Sequence, residues 1–317
     1  MDVVQGIQQG TVHAGLAAGL ATIGLLLLLL RVKSIRQTTI VHAWIWTMIC
    51  LVTVAGVEVY VGLTYLPRSS ASMQALRFIA SVSTFCPAMA LLGAKRPQDQ
   101  VWQFAVFSLW GVLSLPALQV IILGRTEFYV SGIQSWFMVI LLVIGTVNSL
   151  PTRYGFAAML TLLSQWGLLG NYLPLWSASS ETGIRLASLV GAVLAIGFVV
   201  IRLPRRSSPA NGLNRVWIDF RDTFGVLWAM RIADRVNATA LDSGWKVVLS
   251  WNGFHFGESK AGDKVSEPYL DSPEAVAVGK VFRALLRRFV SRQWILERLP
   301  RGTQEMKETS GRVGSDT

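Results

Sequence analysis

Apolar residues along the first two thirds of the chain gather into long runs separated by short polar connections. Seven segments, 13–30, 40–66, 77–94, 101–123, 131–150, 154–173 and 184–203, approach the roughly 20 mostly apolar residues needed to cross about 30 Å of hydrocarbon. In lipid every backbone N–H and C=O must be paired within the structure, so such runs become helices. The third is the weakest, being short and holding Ser81, Ser83, Thr84 and Pro87. Pro87 and Pro116 each remove a backbone donor and should bend their helices.

Orientation follows from the basic residues of the connections. One set carries Arg31, Lys33, Arg36, Lys95, Arg96, Arg153, Arg202, Arg205 and Arg206; the alternate set carries Arg68, Arg77, Arg125 and Arg185. The richer set belongs in the cytoplasm, which places the N-terminus outside a cell membrane and residues 204–317 inside. The first apolar run has no Lys or Arg before it and several just after it, the reverse of a secretory leader, and reads as an uncleaved anchor. Trp44, Trp46 and Trp102 fall at the inner interface and Trp136 and Trp176 at the outer one, where amphipathic rings settle.

At Pro204 the pattern changes. Residues 204–213 are a basic juxtamembrane linker. From Asn214 towards Leu241 apolar residues recur at helical spacing (Trp217, Phe220, Phe224, Leu227, Trp228, Ile232). Alternation around Trp245–Trp251, an Asn252-Gly253 turn signal and Phe254–Phe256 predict a hairpin. Ser272-Pro273-Glu274 then opens a helix towards Val290, and 292–298 either continues it or forms a short second piece. Residues 214–299 thus predict a small α+β domain (helix–hairpin–helix), and 300–317 a disordered tail. The fold class is mainly α: a seven-helix transmembrane bundle followed by a small α+β cytoplasmic domain.

Composition agrees with the division. The chain is 52% hydrophobic and 15% charged, against roughly 25% charged in soluble domains. Residues 1–203 hold 11 Lys/Arg and 5 Asp/Glu, and 204–317 hold 18 and 13. Topology accounts for much of the net charge of +11, so it does not indicate nucleic acid. Cys50 and Cys86 lie inside apolar runs without metal or redox spacing and read as small fillers. Gly15 and Gly19 form a G-x-x-x-G, and Ala187, Gly191 and Ala195 a stripe four apart. Both permit close helix packing, within the bundle or in a homo-oligomer.

Glu58 is the one acidic residue well inside a span. Burying it ionised costs at least about 2.5 kcal/mol, which makes it a functional candidate. Ala55, Gly62 and Tyr65 share its face, so it should point into the bundle. Gln119, Gln165, Gln134, Ser135, Ser81, Ser83 and Thr84 are polar groups towards the same outer side. An outward-open cavity with Glu58, Gln119 and Gln165 as ligand or ion pathway is one expectation; a carboxyl acting as structural glue is the other. His13, His42 and His255 are too scattered to share a haem or metal. The last span has no Lys for a retinal Schiff base, no H-E-x-x-H occurs, and no span holds an Asp pair. No cofactor, metal site or catalytic residue is therefore assigned.

In the cytoplasmic part Arg205, Arg206, Arg283, Arg287 and Arg288 are candidates for contact with anionic lipid headgroups or with a protein partner. The functional expectation is a non-enzymatic sensor, scaffold or assembly module. The alternatives are a transporter or channel component built on Glu58 and a membrane enzyme acting on lipid.

Overall fold

The structure is a computed structural model that describes residues 2–64, 70–96, 98–174, 181–201, 212–256 and 273–299. The linker arginines Arg205 and Arg206, most of the segment 204–213, residues 257–272 including Ser272, Trp176 and the expected tail 300–317 lie outside the described residues. The chain is mainly helical and divides into two compact units. The first is residues 1–36, 40–94 and 98–203; the second is 204–317 together with the short pieces 37–39 and 95–97.

The first unit contains α1 (Asp2–Leu30), α2 (Val32–Ile35), α3 (Val41–Leu63), α4 (Ala71–Ser83), α5 (Cys86–Leu92), α6 (Gln98–Leu123), α7 (Gly132–Ser149), α8 (Gly155–Leu169) and α9 (Glu181–Val200). Among the described residues, six helices or helix pairs, with α4–α5 counted as one, are long and apolar enough to cross a membrane. This makes the chain a polytopic membrane protein. The expected sixth segment, 154–173, contains α8, only 15 residues long, followed by a 3-10 turn over Gly170–Tyr172. The outer surface of the bundle is apolar, with Phe104, Ile122 and Ile133 well exposed, as helices solvated by lipid require.

Two large apolar clusters lie in the interior. One joins Ala17 and Leu28 of α1, Leu51 and Val54 of α3 and Leu189 and Val193 of α9. The other joins Phe78 and Val82 of α4, Leu113 and Ala117 of α6, Met138 and Leu142 of α7 and Leu169 at the end of α8. The helices meet most closely where side chains are absent. A Cβ on Gly10 would lie 2.5 Å from Gly62 O, and one on Gly62 would lie 2.6 Å from Gly10 O. Gly15 and Gly19 are exposed, with nothing within 4 Å of a Cβ built there. Their G-x-x-x-G therefore does not make the intramolecular crossing. In the other stripe Gly191 abuts Ser164 Oγ and Ala195 is buried, while Ala187 is exposed.

The third span differs from expectation at both its start and its middle. Ser70 Oγ accepts from Met73 N–H and caps a helix that begins at Ala71, so Arg77 lies six residues inside it rather than at its edge. The helix breaks at Thr84–Phe85, and Pro87 enters at the first turn of α5. The break frees carbonyls that polar side chains then take up. Cys50 Sγ donates to Ser83 O, the carbonyl four residues before Pro87, at 2.8 Å, and Gln165 Nε2 donates to Thr84 O at 2.8 Å. Near Pro116 inside α6, Gln134 Nε2 similarly reaches Leu113 O at 2.7 Å. Indole N–H groups fasten helices to one another, Trp44 to Leu28 O and Trp102 to Met89 O.

The second unit contains α10 (Gly212–Asp242), β1 (Val247–Ser250), β2 (Gly253–Phe256), α11 (Pro273–Leu286) and α12 (Arg292–Leu296). β1 and β2 pair antiparallel, with Val247 opposite Phe256 and Ser250 opposite Gly253. The two turn residues are thus Trp251 and Asn252, one position before the expected pair. A lone hairpin is barely stable in water, and α10 supports this one. Asn237 Nδ2 donates to Leu249 O (3.0 Å) and its Oδ1 accepts from Leu249 N–H (2.7 Å), while Asn214 Oδ1 accepts from Phe254 N–H (2.7 Å).

α10 is interrupted at Gly225, with φ 80° and ψ −177°. That backbone region is almost confined to glycine. The break resets the helical phase: Trp217, Phe220 and Phe224 precede it and Trp228, Ile232 and Val236 follow it in the core, while Leu227 is turned outward. Phe282 and Phe289 complete an aromatic core with Trp217, Phe220, Phe224 and Phe254. The pieces taken from the N-terminal part belong to this unit by backbone pairing. Thr39 N–H donates to Phe289 O (2.9 Å), Ser291 N–H to Gln37 O (2.8 Å) and Arg96 N–H to Arg288 O (2.8 Å).

Candidate functional site: a buried charge cluster around Glu58

Glu58 lies five residues before the end of α3 and is 0% exposed. Three basic side chains from three other helices converge on its carboxylate. His13 Nε2 of α1 is 3.1 Å from Oε2, Arg77 Nη2 of α4 is 3.4 Å from Oε2, and Arg185 Nε of α9 bonds Oε1 directly. His13, Arg77 and Arg185 are themselves buried, at 6%, 1% and 5%. One ionised network therefore ties four helices at a single level of the bundle.

The guanidinium groups stay protonated in any protein setting, so two fixed positive charges face one carboxylate. Part of the remaining positive charge meets backbone. Arg185 Nη1 donates to Leu168 O at 3.1 Å, and Ser81 Oγ lies 3.1 Å from the same oxygen. Leu168 is in the last turn of α8, where unpaired carbonyls carry roughly half an elementary negative charge. The short α8 thus ends against the cluster, and its Leu168 carbonyl has a cationic partner. Arg185 Nη2 also reaches Ser81 Oγ at 3.4 Å.

Of the polar residues expected around Glu58, only Ser81 is part of this network. Gln165 is engaged at the α4–α5 break and Gln134 with α6, as above. Gln119 is exposed on α6. Arg77 and Arg185 were expected in outer connections and instead lie within helices, which is the main correction to the sequence-based topology. Depth comparison was the available signal. In antiparallel neighbours, His13 near the start of one run and Glu58 near the end of the next lie at the same end, as do Arg77 and Arg185 at the edges of theirs.

Cys50 and Cys86 share an apolar cluster with Ala43, Trp46, Ala90 and Val106. Among the described residues no group of three or more His, Cys, Asp or Glu is placed to hold a metal ion. In the second unit Arg283, Arg287 and Arg288 fall at the end of α11 and just after it; Arg287 and Arg288 are exposed and Arg283 half-buried. Among the described residues the other buried acids, Asp219 and Asp222, pair with Arg298 Nε (3.0 Å) and Arg221 Nη2 (2.8 Å). No protein-family model, curated protein or solved structure matches this chain.

Proposed function

We propose that the chain is a non-enzymatic membrane module, a scaffold or sensor whose bundle anchors a basic cytoplasmic domain. That domain docks on anionic headgroups or a protein partner through Arg205, Arg206, Arg283, Arg287 and Arg288. The observation that carries this reading is the state of Glu58: it is fully enclosed, and each carboxylate oxygen is engaged by cations from neighbouring helices. A carboxylate held in this way ties helices together. An ion or proton pathway through Glu58, Gln119 and Gln165 is the second reading, favoured by the convergence of four ionisable side chains at one end of the bundle. Sealed proteoliposomes with an internal pH dye distinguish the two. A proton flux present with the wild-type chain and lost in Glu58→Gln would move the function to transport.

Seven crossings with the N-terminus outside are part of the proposal, and parity supports them. The connections 37–39 and 95–97 both pair with backbone of 288–291, so they lie on the same side as the C-terminal unit. Between residue 97 and that unit run α6, α7, α8 and α9. Four crossings return the chain to the same side and three do not, which supports a crossing by α8. Its 15 residues and the following turn span about 28 Å at 1.5 and 2.0 Å per residue. Removing Arg77 and Arg185 from the outer connections also leaves nine basic residues on one side against Arg68 and Arg125 on the other, a stronger bias of the positive-inside kind.

Single cysteines at Gln9, Arg153 and Lys246, all exposed, test the layout in a Cys50→Ala/Cys86→Ala background. An impermeant thiol reagent applied to intact cells should label Gln9→Cys alone. Labelling of Arg153→Cys with Lys246→Cys protected would mean that α8 does not cross.

A further inference from the structure

Charge in the second unit is concentrated where two membrane connections are stitched into it. Residues 273–299 contain six Lys/Arg and two Asp/Glu. One of those acids, Glu297, accepts from the side-chain amides of Gln37 (3.3 Å) and Gln293 (3.1 Å); the other, Glu274, stands at the far end of α11. Arg283 has its pKa lowered by burial and by the charge of Arg287, a sign that cations here crowd one another.

The backbone of 288–291 is held from two sides. Thr39 N–H and Gln37 O pair with Phe289 O and Ser291 N–H along one edge, and Arg96 N–H pairs with Arg288 O at 2.8 Å. Phe289 and Val290 are buried at 1% each, which locks the main chain while the Arg287 and Arg288 side chains are exposed. The last bond brings a second basic pair, Lys95 and Arg96, against the first, and Arg96 is exposed as well.

The position of this assembly relative to lipid follows from chain length. Lys95 is three residues beyond Leu92, the last residue of an apolar span, and Gln98 already begins the next helix. Three residues reach at most about 10 Å, so the connection cannot leave the headgroup layer. Lipid phosphates are the anions of that layer.

We infer that Lys95, Arg96, Arg287 and Arg288 form a single site for the phosphate headgroup of an anionic phospholipid in the adjoining leaflet. This rests on the proposed docking of the basic domain and narrows it. One half of the site comes from a span connection, the other from the turn after α11, and a backbone hydrogen bond fixes the two halves together. The bound lipid would fasten the C-terminal unit to the bilayer at the point where its core is built. Guanidinium groups suit the role because their planar donors match phosphate oxygens in pairs.

The test uses the full-length protein in nanodiscs of phosphatidylcholine with a titrated fraction of phosphatidylglycerol, with lipid retained after release into detergent counted by native mass spectrometry. Arg96→Gln/Arg288→Gln removes two positive charges and leaves the backbone pair intact. At about 1 kcal/mol per cation near an anionic leaflet, or about fivefold each, the double variant should weaken phosphatidylglycerol retention about 25-fold. Arg96→Lys/Arg288→Lys should recover most of it, and Arg205→Gln/Arg206→Gln should change it less. Unchanged retention in Arg96→Gln/Arg288→Gln with a loss in Arg205→Gln/Arg206→Gln overturns this site and leaves the broader docking proposal standing. Retention indifferent to both pairs overturns both. Retention unchanged by Arg96→Gln/Arg288→Gln, with weaker binding of a polyglutamate peptide by the same variant, would reassign the surface to an acidic protein.

Discussion

Replacing Glu58 by Gln keeps the shape of the side chain and removes its charge, which isolates the electrostatic part of the cluster. The carboxylate is 0% exposed and receives His13, Arg77 and Arg185. Hydrogen bonds to a charged group contribute roughly 1.5–3 kcal/mol and neutral ones roughly 0.5–1.5. Downgrading three contacts by about 1 kcal/mol each gives a loss of about 3 kcal/mol. A second route gives a similar figure: removing one member of a buried ion pair typically costs 3–5 kcal/mol, because the opposite charge stays buried. Here two guanidinium groups stay. At about 2–4 °C per kcal/mol for a body of this size, detergent-purified Glu58→Gln should melt about 6–12 °C below wild type. The triple variant Glu58→Leu/Arg77→Met/Arg185→Met removes every permanent charge and should lose less than the single one, since whole buried networks are often replaced by apolar side chains at little cost. A Glu58→Gln melting point within about 2 °C of wild type, or a triple variant worse than the single, would refute the account of the cluster as a charge-satisfied tie between helices.

Three further outcomes follow from the packing and the backbone. Gly10→Ala puts a Cβ 2.5 Å from Gly62 O and should destabilise by about 1–3 kcal/mol through overpacking, whereas Gly15→Ala, with open space around it, should be neutral or stabilising by up to about 1 kcal/mol; melting in detergent compares them directly. Asn237→Ala strips both hydrogen bonds from the buried Leu249 backbone, at about 1–3 kcal/mol for each group left unsatisfied. Hydrogen–deuterium exchange should show faster exchange at the Leu249 amide, with Asn237→Asp intermediate because only the donor is lost. Gly225→Ala forces a Cβ into the φ 80°, ψ −177° conformation at about 1–3 kcal/mol, read as increased protease sensitivity of the C-terminal unit.

The sequence carried the helices because length and apolarity suffice to specify a span, and it carried the hairpin because alternation and a turn dipeptide lie close together in the chain. Its errors have physical sources. The single-residue shift of the turn to Trp251-Asn252 reflects Gly253 serving as the first strand residue, where its backbone accepts an unusual φ of 138° beside the Asn214 side chain. Leu227 was expected in the core because helical periodicity assumes an unbroken phase, and one glycine at positive φ interrupts it. The Asn237 amide matches a strand edge 12 residues away, and a tertiary partner of that kind leaves no local trace.

The charge cluster was hidden for a different reason. Arg77 and Arg185 stand near the ends of apolar runs, and hydropathy treats a cation there as marking where the membrane ends. Yet a carboxylate inside a span needs cationic partners at its own depth, and the nearest supply is the set of basic residues at the edges of neighbouring apolar runs. Once Glu58 is assigned to the last third of α3, the arginines at the same end of the bundle become its expected partners, and helix starts must move outward to enclose them. Arg77 is then enclosed by a helix beginning at Ala71 and Arg185 by one beginning at Glu181. Matching charges by depth before fixing span boundaries would thus have found the site and placed those two helix starts beyond their arginines, since in lipid the position of a boundary and the pairing of a charge are one electrostatic condition.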